Sequence, residues 1–310
     1  MFQASRLRDW ILLLLCNLIW ASQYVMVKIV QEQMGPVFAT FLPVTLATLF
    51  LMAIVRRDRW PKHDRFRFFL IGVCGQISAQ LFITWGVGLS LASNAALLAL
   101  TLPIMTALMA YLLLGERMTP LRWVSFALAI AGAVECAGIN WKELDFGSFR
   151  FMFGSFLIFL GIVGSSFYNV YSKKLLQRYS PLQVQLYSYY AVFVCMLPIT
   201  LLAEPRSFVN LPHFSLKIWL GLIELAVFVY FLSMVLFLNV LTRLDATQAG
   251  LSNYLIPFFG LLLAAVVLHE KLKKFMVLGG ALVLTSTLLI TVWEEKLRSY
   301  SQRQMRSKAK

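Results

Sequence analysis

Charge is scarce in this 310-residue chain. Asp, Glu, Lys and Arg together make up 14% of it, where soluble domains carry about 25%. Histidine is scarcer still: His63, His213 and His269 are the only three. Each falls between apolar runs, which argues against an intramembrane haem or a histidine-based metal site. The four cysteines, Cys16, Cys74, Cys136 and Cys195, lie inside apolar runs. A thiol there acts as a small hydrophobe, so no disulfide is expected. No G-x-x-x-x-G-K-[ST] loop occurs, which excludes a P-loop nucleotide motor. No catalytic constellation is legible either: no paired acidic motif, no histidine cluster, no nucleophile with a base. No metal and no cofactor are expected.

What the chain has in abundance is apolar sequence. It is 60% hydrophobic, 14% aromatic and has a mean hydropathy of +0.75. The apolar runs extend for about 20 residues, the length needed to cross a hydrocarbon core of about 30 Å. Strict alternation of apolar and polar residues is absent, which excludes an outer-membrane barrel. The expected fold is therefore an all-α integral membrane protein. Ten transmembrane helices are predicted: 10–30, 37–55, 68–90, 92–114, 121–139, 154–175, 182–202, 216–241, 246–268 and 275–293. The first begins after Arg6 and Arg8. Its apolar run through Val30 is too long for a signal-peptide core, so it reads as a retained helix.

The net charge is +14, but the basic residues sit in short connections and in the tail 294–310, without any nucleic-acid motif. Nucleic acid is not an expected partner. Counting from an N-terminus inside, 20 of the 28 Lys and Arg fall on the inner side. The positive-inside rule then places both termini in the cytoplasm, with a basic cytoplasmic tail that meets anionic lipid.

The chain also repeats itself. Ala92, Pro103 and Glu116 match Ala246, Pro257 and Glu270 at an offset of 154 residues. Lys28 and Pro36 match Lys173 and Pro181 at 145, the difference being a longer connection near Ala203–Leu216. Two units of five helices are expected, over 10–139 and 154–293. An odd helix number inserts the second unit upside down, and such inverted repeats are a hallmark of carriers that alternate access between the two sides.

Polar side chains inside apolar runs are costly unless they face a wet cavity or one another. Helical spacing groups them. Trp20, Gln23 and Tyr24 are candidates on the first helix, Gln76 and Gln80 on the third, Asn94 and Thr101 on the fourth. Tyr168 and Asn169 follow on the sixth, and Gln248, Asn253 and Tyr254 on the ninth. Together they are candidates for lining a substrate cavity, although hydrogen bonds between helices alone explain any one of them. Glu224 is an isolated carboxyl in an apolar run. It is the candidate for coupling, by exchanging a proton for substrate or by pairing with a cationic one. Pro103 and Pro257 occupy equivalent places and are candidate kinks or hinges.

Leu91-Ala-Ser-Asn-Ala-Ala-Leu-Leu, Pro103 and Leu114-Gly-Glu-Arg-Met-Thr resemble the fourth-helix signature of the EamA-type permeases in the drug/metabolite transporter (DMT) superfamily. Ile19-Trp20-Ala-Ser-Gln-Tyr24 with Lys28, and Leu175-Leu-Gln-Arg-Tyr-Ser-Pro181, resemble further segments of that family. Ala21-Ser22-Gln23 and His269-Glu270 depart from its usual residues. The resemblance implies a multi-pass carrier of a bacterial inner membrane, commonly an exporter of amino acids, other small metabolites or drugs, with a central cavity lined from both halves. Expected partners are a small-molecule substrate, membrane lipid and, through Glu224, a proton, with the chain a monomer or a homodimer. Two rival classes are a membrane-embedded lipid-modifying enzyme, which needs a catalytic constellation, and a transporter-fold sensor, which needs an output domain.

Overall fold

The computed structural model describes residues 2–55, 63–90, 95, 98–137, 148–256, 258–259 and 274–289. Every regular element among them is helical: α1 (Phe2–Val30), α2 (Pro36–Ile54), α3 (Arg65–Leu89), α4 (Leu102–Leu114), α5 (Pro120–Ala137), α6 (Phe149–Leu175), α7 (Pro181–Ala203), the short α8 (Pro205–Asn210), α9 (Leu216–Leu241), α10 (Ala246–Leu251) and α11 (Lys274–Leu288). Among the described residues, six helices are long and apolar enough to cross a membrane: Leu7–Val30, Pro36–Ile54, Arg65–Leu89, Phe149–Leu175, Pro181–Ala203 and Leu216–Leu241. The connection expected between the seventh and eighth helices contains α8, which opens on Pro205.

Burial is reversed relative to a water-soluble protein. Gln76, Gln185, Asn17 and Asn253 are buried, while Leu112, Trp123, Phe149 and Leu202 are exposed. That inversion fits a hydrocarbon surround, which rewards outward-facing apolar side chains. Cys16, Cys74 and Cys195 are free thiols, and Cys74 faces outward.

Two departures from regular α-helix shape the interior. Wide π-helical turns run through Ile71–Phe82 in α3 and Glu224–Ser233 in α9. Such turns occur mostly as short bulges at functional sites. They free carbonyls for side chains: the Tyr230 carbonyl accepts from Gln185 Nε2 at 3.2 Å and Tyr189 OH at 2.9 Å. The second departure is at Thr101. A helix unbroken from Ala92 to Leu114 is expected from sequence, but Leu100 and Thr101 form a turn and α4 begins at Leu102. Pro103 therefore sits in the first turn of α4, just past a break that follows helical Leu98 and Ala99, where its missing N–H costs nothing. The equivalent Pro257 lies outside the described residues.

The apolar core has two parts. The larger joins α1, α2, α3, α6, α7 and α9; the smaller joins α4, α5, α10 and α11 through Phe126, Ala133, Leu251, Tyr254 and Val283. Glycine sets the closest approaches. A Cβ on Gly86 would stand 2.6 Å from the Gly154 carbonyl, and one on Gly164 would stand 2.6 Å from Ser78 Cβ, so α3 and α6 meet backbone to backbone. Gly132 does the same for α5 and α11, 2.6 Å from the Gly279 carbonyl.

Ion pairs gather where these helices end. The start of α1 is tied to the end of α9 by Asp9, which accepts from Arg243 Nη2 at 2.6 Å. Asp64, ahead of α3, accepts from Arg67 Nη1 and Tyr179 OH, both at 2.9 Å, with Arg178 at 3.6 Å. Burial opposes ionisation of Asp64, but the tyrosine hydrogen bond and the two guanidinium groups prevail and hold its carboxyl below the usual range. On the far face Lys217 meets Glu32 at 2.7 Å. There Glu204 accepts from the N–H groups of Val37 and Phe38 at 3.0 and 2.9 Å. A Cβ on Gly35 would collide with the Glu204 carboxylate, so a side chain there would displace it from this cap.

Two outcomes are expected. Alanine in a helix gains about 1 kcal/mol over glycine, whereas overpacking costs about 1–3 kcal/mol. Gly132→Ala should therefore lower the thermal midpoint in detergent. Gly88→Ala should leave it unchanged or raise it, because its nearest neighbour is the end of the Gln31 side chain at 3.2 Å. A gain at Gly132 would show that α5 and α11 are not close-packed. The second concerns pH. The folded carboxyl of Asp64 is more acidic than the unfolded one, so its contribution is complete above the ordinary carboxylate range and fades as pH falls through the lowered folded value. The midpoint difference between the native chain and Asp64→Asn should shrink on acidification; a constant difference would remove Asp64 from the ion-pair account.

Candidate functional site

Between the two parts of the core lies a cavity of about 80 Å³. Trp20 and Gln23 reach it from α1, and Gln76, Ala79, Gln80 and Ile83 from α3. Leu102 comes from α4, Ser165, Tyr168 and Asn169 from α6, and Met234 from α9. Asn253 and Ile256 complete the wall beyond α10, Asn253 in a 3₁₀ turn over Ser252–Tyr254. Among the described residues, none that lines it carries a formal charge; the polar groups are amides, one serine, one tyrosine and the Trp20 indole.

The amides on the first wall form a relay. Gln23 Nε2 donates to Gln80 Oε1 at 3.2 Å, and Gln80 Nε2 donates to Gln76 Oε1 at 3.4 Å. Gln76 Nε2 is left without a hydrogen-bond partner. Behind the wall, Tyr168 OH donates to Gln185 Oε1 at 2.9 Å, and Gln185 in turn holds the Tyr230 carbonyl of the π-helical stretch. That buried chain fixes the tyrosine ring, while Trp20 is held edge-on against Phe237 with centroids 5.2 Å apart. Asn253 is different. Its side chain is buried, yet neither amide atom has a partner. An unpaired buried amide is costly in a folded chain, and this one lies on the cavity wall.

Of the residues singled out from sequence, Trp20, Gln23, Gln76, Gln80, Tyr168, Asn169 and Asn253 meet at this cavity. Thr101, Gln248 and Tyr254 stand off its wall. Thr101 Oγ1 closes its own turn on the Leu98 carbonyl at 2.7 Å. Gln248 is buried within α10. Tyr254 packs edge-on against Phe126 at 5.9 Å. Asn94 and the Tyr24 side chain lie outside the described residues. Sequence reasoning misses the apolar lining. Ala79 and Ile83 follow Gln76 at the three- and seven-residue spacing of one helix face, which is the signal that could have found them.

Glu224 also stands off the cavity wall, half-buried at the start of the π-helical turns of α9. Ser22 Oγ lies 2.5 Å from Glu224 Oε1 and 2.7 Å from the Ile19 carbonyl, and Glu224 Oε2 has no partner. A serine hydroxyl has one hydrogen and here faces two acceptors.

Amides hidden around a central cavity, inside helices whose outer surfaces are apolar, define a multi-pass membrane protein with an interior suited to a polar solute. Sequence comparison makes the class specific. The model of the EamA-like transporter family matches residues 9–135 and again 152–292, and the chain belongs to that family. A probable terminal-alkyne amino-acid exporter of Streptantibioticus cattleyicolor is 28% identical over 285 residues, covering 90% of this chain and 91% of the relative. An uncharacterized transporter of Archaeoglobus fulgidus is 26% identical, covering 91% and 96%. Among solved structures, one crystal structure superposes with a TM-score of 0.77 at 19% identity, covering 94% of this chain and 98% of its own; at that identity it supports the fold alone.

Stability and binding should separate at this wall. Asn253→Leu replaces an unpaired buried amide with an apolar group of similar size, so the thermal midpoint should hold or rise while stabilisation by a bound substrate is lost. Tyr168→Phe orphans Gln185 Oε1 and should destabilise by about 1–3 kcal/mol. A midpoint that falls in Asn253→Leu would mean that the amide is paired within the protein.

Proposed function

We propose that this chain is a secondary transporter that moves small, polar, net-uncharged solutes across the membrane by alternating access, with export of amino acids or related metabolites as its task. In this reading ten helices form two inverted five-helix repeats, near 10–139 and 154–293, in a bacterial inner membrane with both termini and the basic tail in the cytoplasm. One observation carries it: the cavity is walled by residues from both family-matched segments, and its only formal requirement of a ligand is hydrogen bonding. The uncharged wall favours a neutral or zwitterionic solute over an ion. The amino-acid exporter among the relatives supports the amino-acid class.

Trp20, Gln23, Gln76, Gln80, Tyr168, Asn169 and Asn253 are the proposed substrate contacts. Thr101, Gln248 and Tyr254 support the wall from behind, and Pro103 sets the break before α4. Glu224 is the proposed coupling group. A proton on it resolves the Ser22 conflict: the carboxyl donates to Ser22 Oγ, and the hydroxyl is freed to donate to the Ile19 carbonyl. Removing that proton leaves Ser22 to choose between two acceptors, which changes the α1–α9 contact beside Gln23.

The test is uptake of a panel of labelled amino acids and neutral metabolites into proteoliposomes, with counterflow in parallel. Transport of at least one is expected. With that substrate, Glu224→Gln should lose most proton-driven accumulation, about tenfold or more for a loss near 1.4 kcal/mol of coupling, while counterflow persists. A panel that shows no movement even in counterflow overturns the transport reading. Unchanged accumulation in Glu224→Gln removes only the coupling role.

A further inference from the structure

We infer that Glu116, with Lys173, is the inner gate of the transport cycle, and that the cavity opens to the face where α1 begins only when Glu116 releases the start of α10. This rests on the transport reading above.

Below the cavity, toward that face, two layers join α4, α6 and α10. The upper layer is thin. A Cβ on Gly250 would stand 2.8 Å from Thr106 Cγ2, Thr106 Oγ1 donates to Ser166 Oγ at 3.3 Å, and Ser166 hydrogen-bonds the Leu102 carbonyl at 3.4 Å. The lower layer is polar. Glu116 Oε1 accepts from the Ala246 N–H at 2.9 Å. Glu116 Oε2 accepts from the Thr247 N–H at 3.0 Å and from Thr247 Oγ1 at 2.7 Å. Lys173 bridges the layer, 3.4 Å from Glu116 Oε1 and donating to the Leu244 carbonyl at 2.7 Å. Arg122 holds Asp245 at 2.9 Å. Glu116 and Arg122 belong to the first family-matched segment; Lys173, Leu244, Asp245, Ala246 and Thr247 belong to the second.

This junction differs from the close-packed contacts between the two segments, and unlike the other polar ones it lies directly on the inner side of the cavity helices α4, α6 and α10. The α3–α6 and α5–α11 pairs meet through glycines at backbone distance, where separation would open a void along the helices. The α4–α10 junction is held by side-chain hydrogen bonds, and Glu116, Lys173 and Asp245 are 12%, 24% and 32% exposed. Water at that edge can replace each bond as it breaks, so separation there costs far less than parting a close-packed pair. The Glu116 carboxylate does what a capping side chain does, satisfying free N–H groups at a helix start, but from the other segment. Capping and closure are thus the same contact.

The test uses the full chain with its native cysteines replaced and Ser166→Cys as reporter. The readout is the rate of modification by a membrane-impermeant maleimide added to the face where α1 begins. Glu116→Gln weakens the charge-assisted bonds and should raise that rate about tenfold. Lys173→Gln should raise it less and serves if Glu116→Gln fails to fold. In a second variant, Glu116→Cys and Thr247→Cys are joined by a short, reducible bis-methanethiosulfonate. In this variant, which omits the Ser166→Cys reporter, the transport that remains before cross-linking should stop on cross-linking and return on reduction. Unchanged labelling in the two single variants, or transport that continues with the cross-link in place, overturns the gate. If the cysteine-less parent, with Glu116 and Thr247 intact, moves no substrate even in counterflow, the transport reading is what has failed; the labelling rates still decide the gate.

Discussion

Hydrocarbon offers no hydrogen bonds, and the interior of this chain is organised around that deficit. A polar group carried into the bundle is costly unless it finds its partner in the protein or stands at a place where a solute can supply one. The chain meets the first condition with long-range pairs: Tyr168 with Gln185, Gln185 and Tyr189 with the Tyr230 carbonyl, Asn17 Nδ2 with Ser252 Oγ at 3.0 Å. The second condition is met at the cavity, where Gln76 Nε2 and both amide atoms of Asn253 are unpaired. The π-helical turns belong to the same account. They expose carbonyls that regular α-helix would have used, and α7 covers them with glutamine and tyrosine.

The same constraint sorts the helix contacts into two kinds. Where glycine lets backbones touch, as at Gly86–Gly154 and Gly132–Gly279, dispersion over a long dry seam holds the pair, and there is no intermediate in which water helps to part it. Where side-chain polar groups make the contact, as between Glu116 and the start of α10, the contact can be exchanged for water at the edge of the bundle. A molecule with both kinds has fixed seams to move against and junctions that can open. A carrier needs both, because close-packed interfaces are bistable and do not deform continuously.

Much of this is legible in the sequence, and what is not has a physical cause. Apolar run length marks the helices, since membrane thickness fixes how many residues a span requires. Four-residue spacing brings Gln76 to Gln80 and links both to the same wall, because a helix face is a local property of sequence. The lateral order of helices is not local, so nothing in the sequence pairs Asp9 with Arg243 or Glu116 with Thr247. Glu224 reads as a carboxyl set within an apolar helix; that it turns to Ser22 on α1, beside the cavity, depends on the same lateral order. Pro103 reads as a kink from its place in a long apolar run. The turn at Leu100–Thr101, invisible to hydropathy, puts it at a helix start.

Two carboxylates cap helices across the segments, and their surroundings explain why one is fitted to move and the other to stay. Glu204, at the end of α7, grips the start of α2 through Val37 and Phe38. Gly35 leaves the carboxylate its place, since a Cβ there would push it off the cap. Around that cap Phe38 stands edge-on to Phe208 at 4.9 Å, and Phe41 stacks on Phe193 at 5.9 Å. To release Glu204, the chain would have to part that aromatic cluster and leave a charge beside apolar rings, a doubly unfavourable step. Glu116 has Lys173 beside it and partial access to water, while Arg122 pairs with the neighbouring Asp245, so its charge stays compensated whether or not it holds α10. Both carboxylates are partly open to water; the distinction lies in their neighbours, an aromatic cluster around the α2 start that Glu204 caps and a lysine beside Glu116.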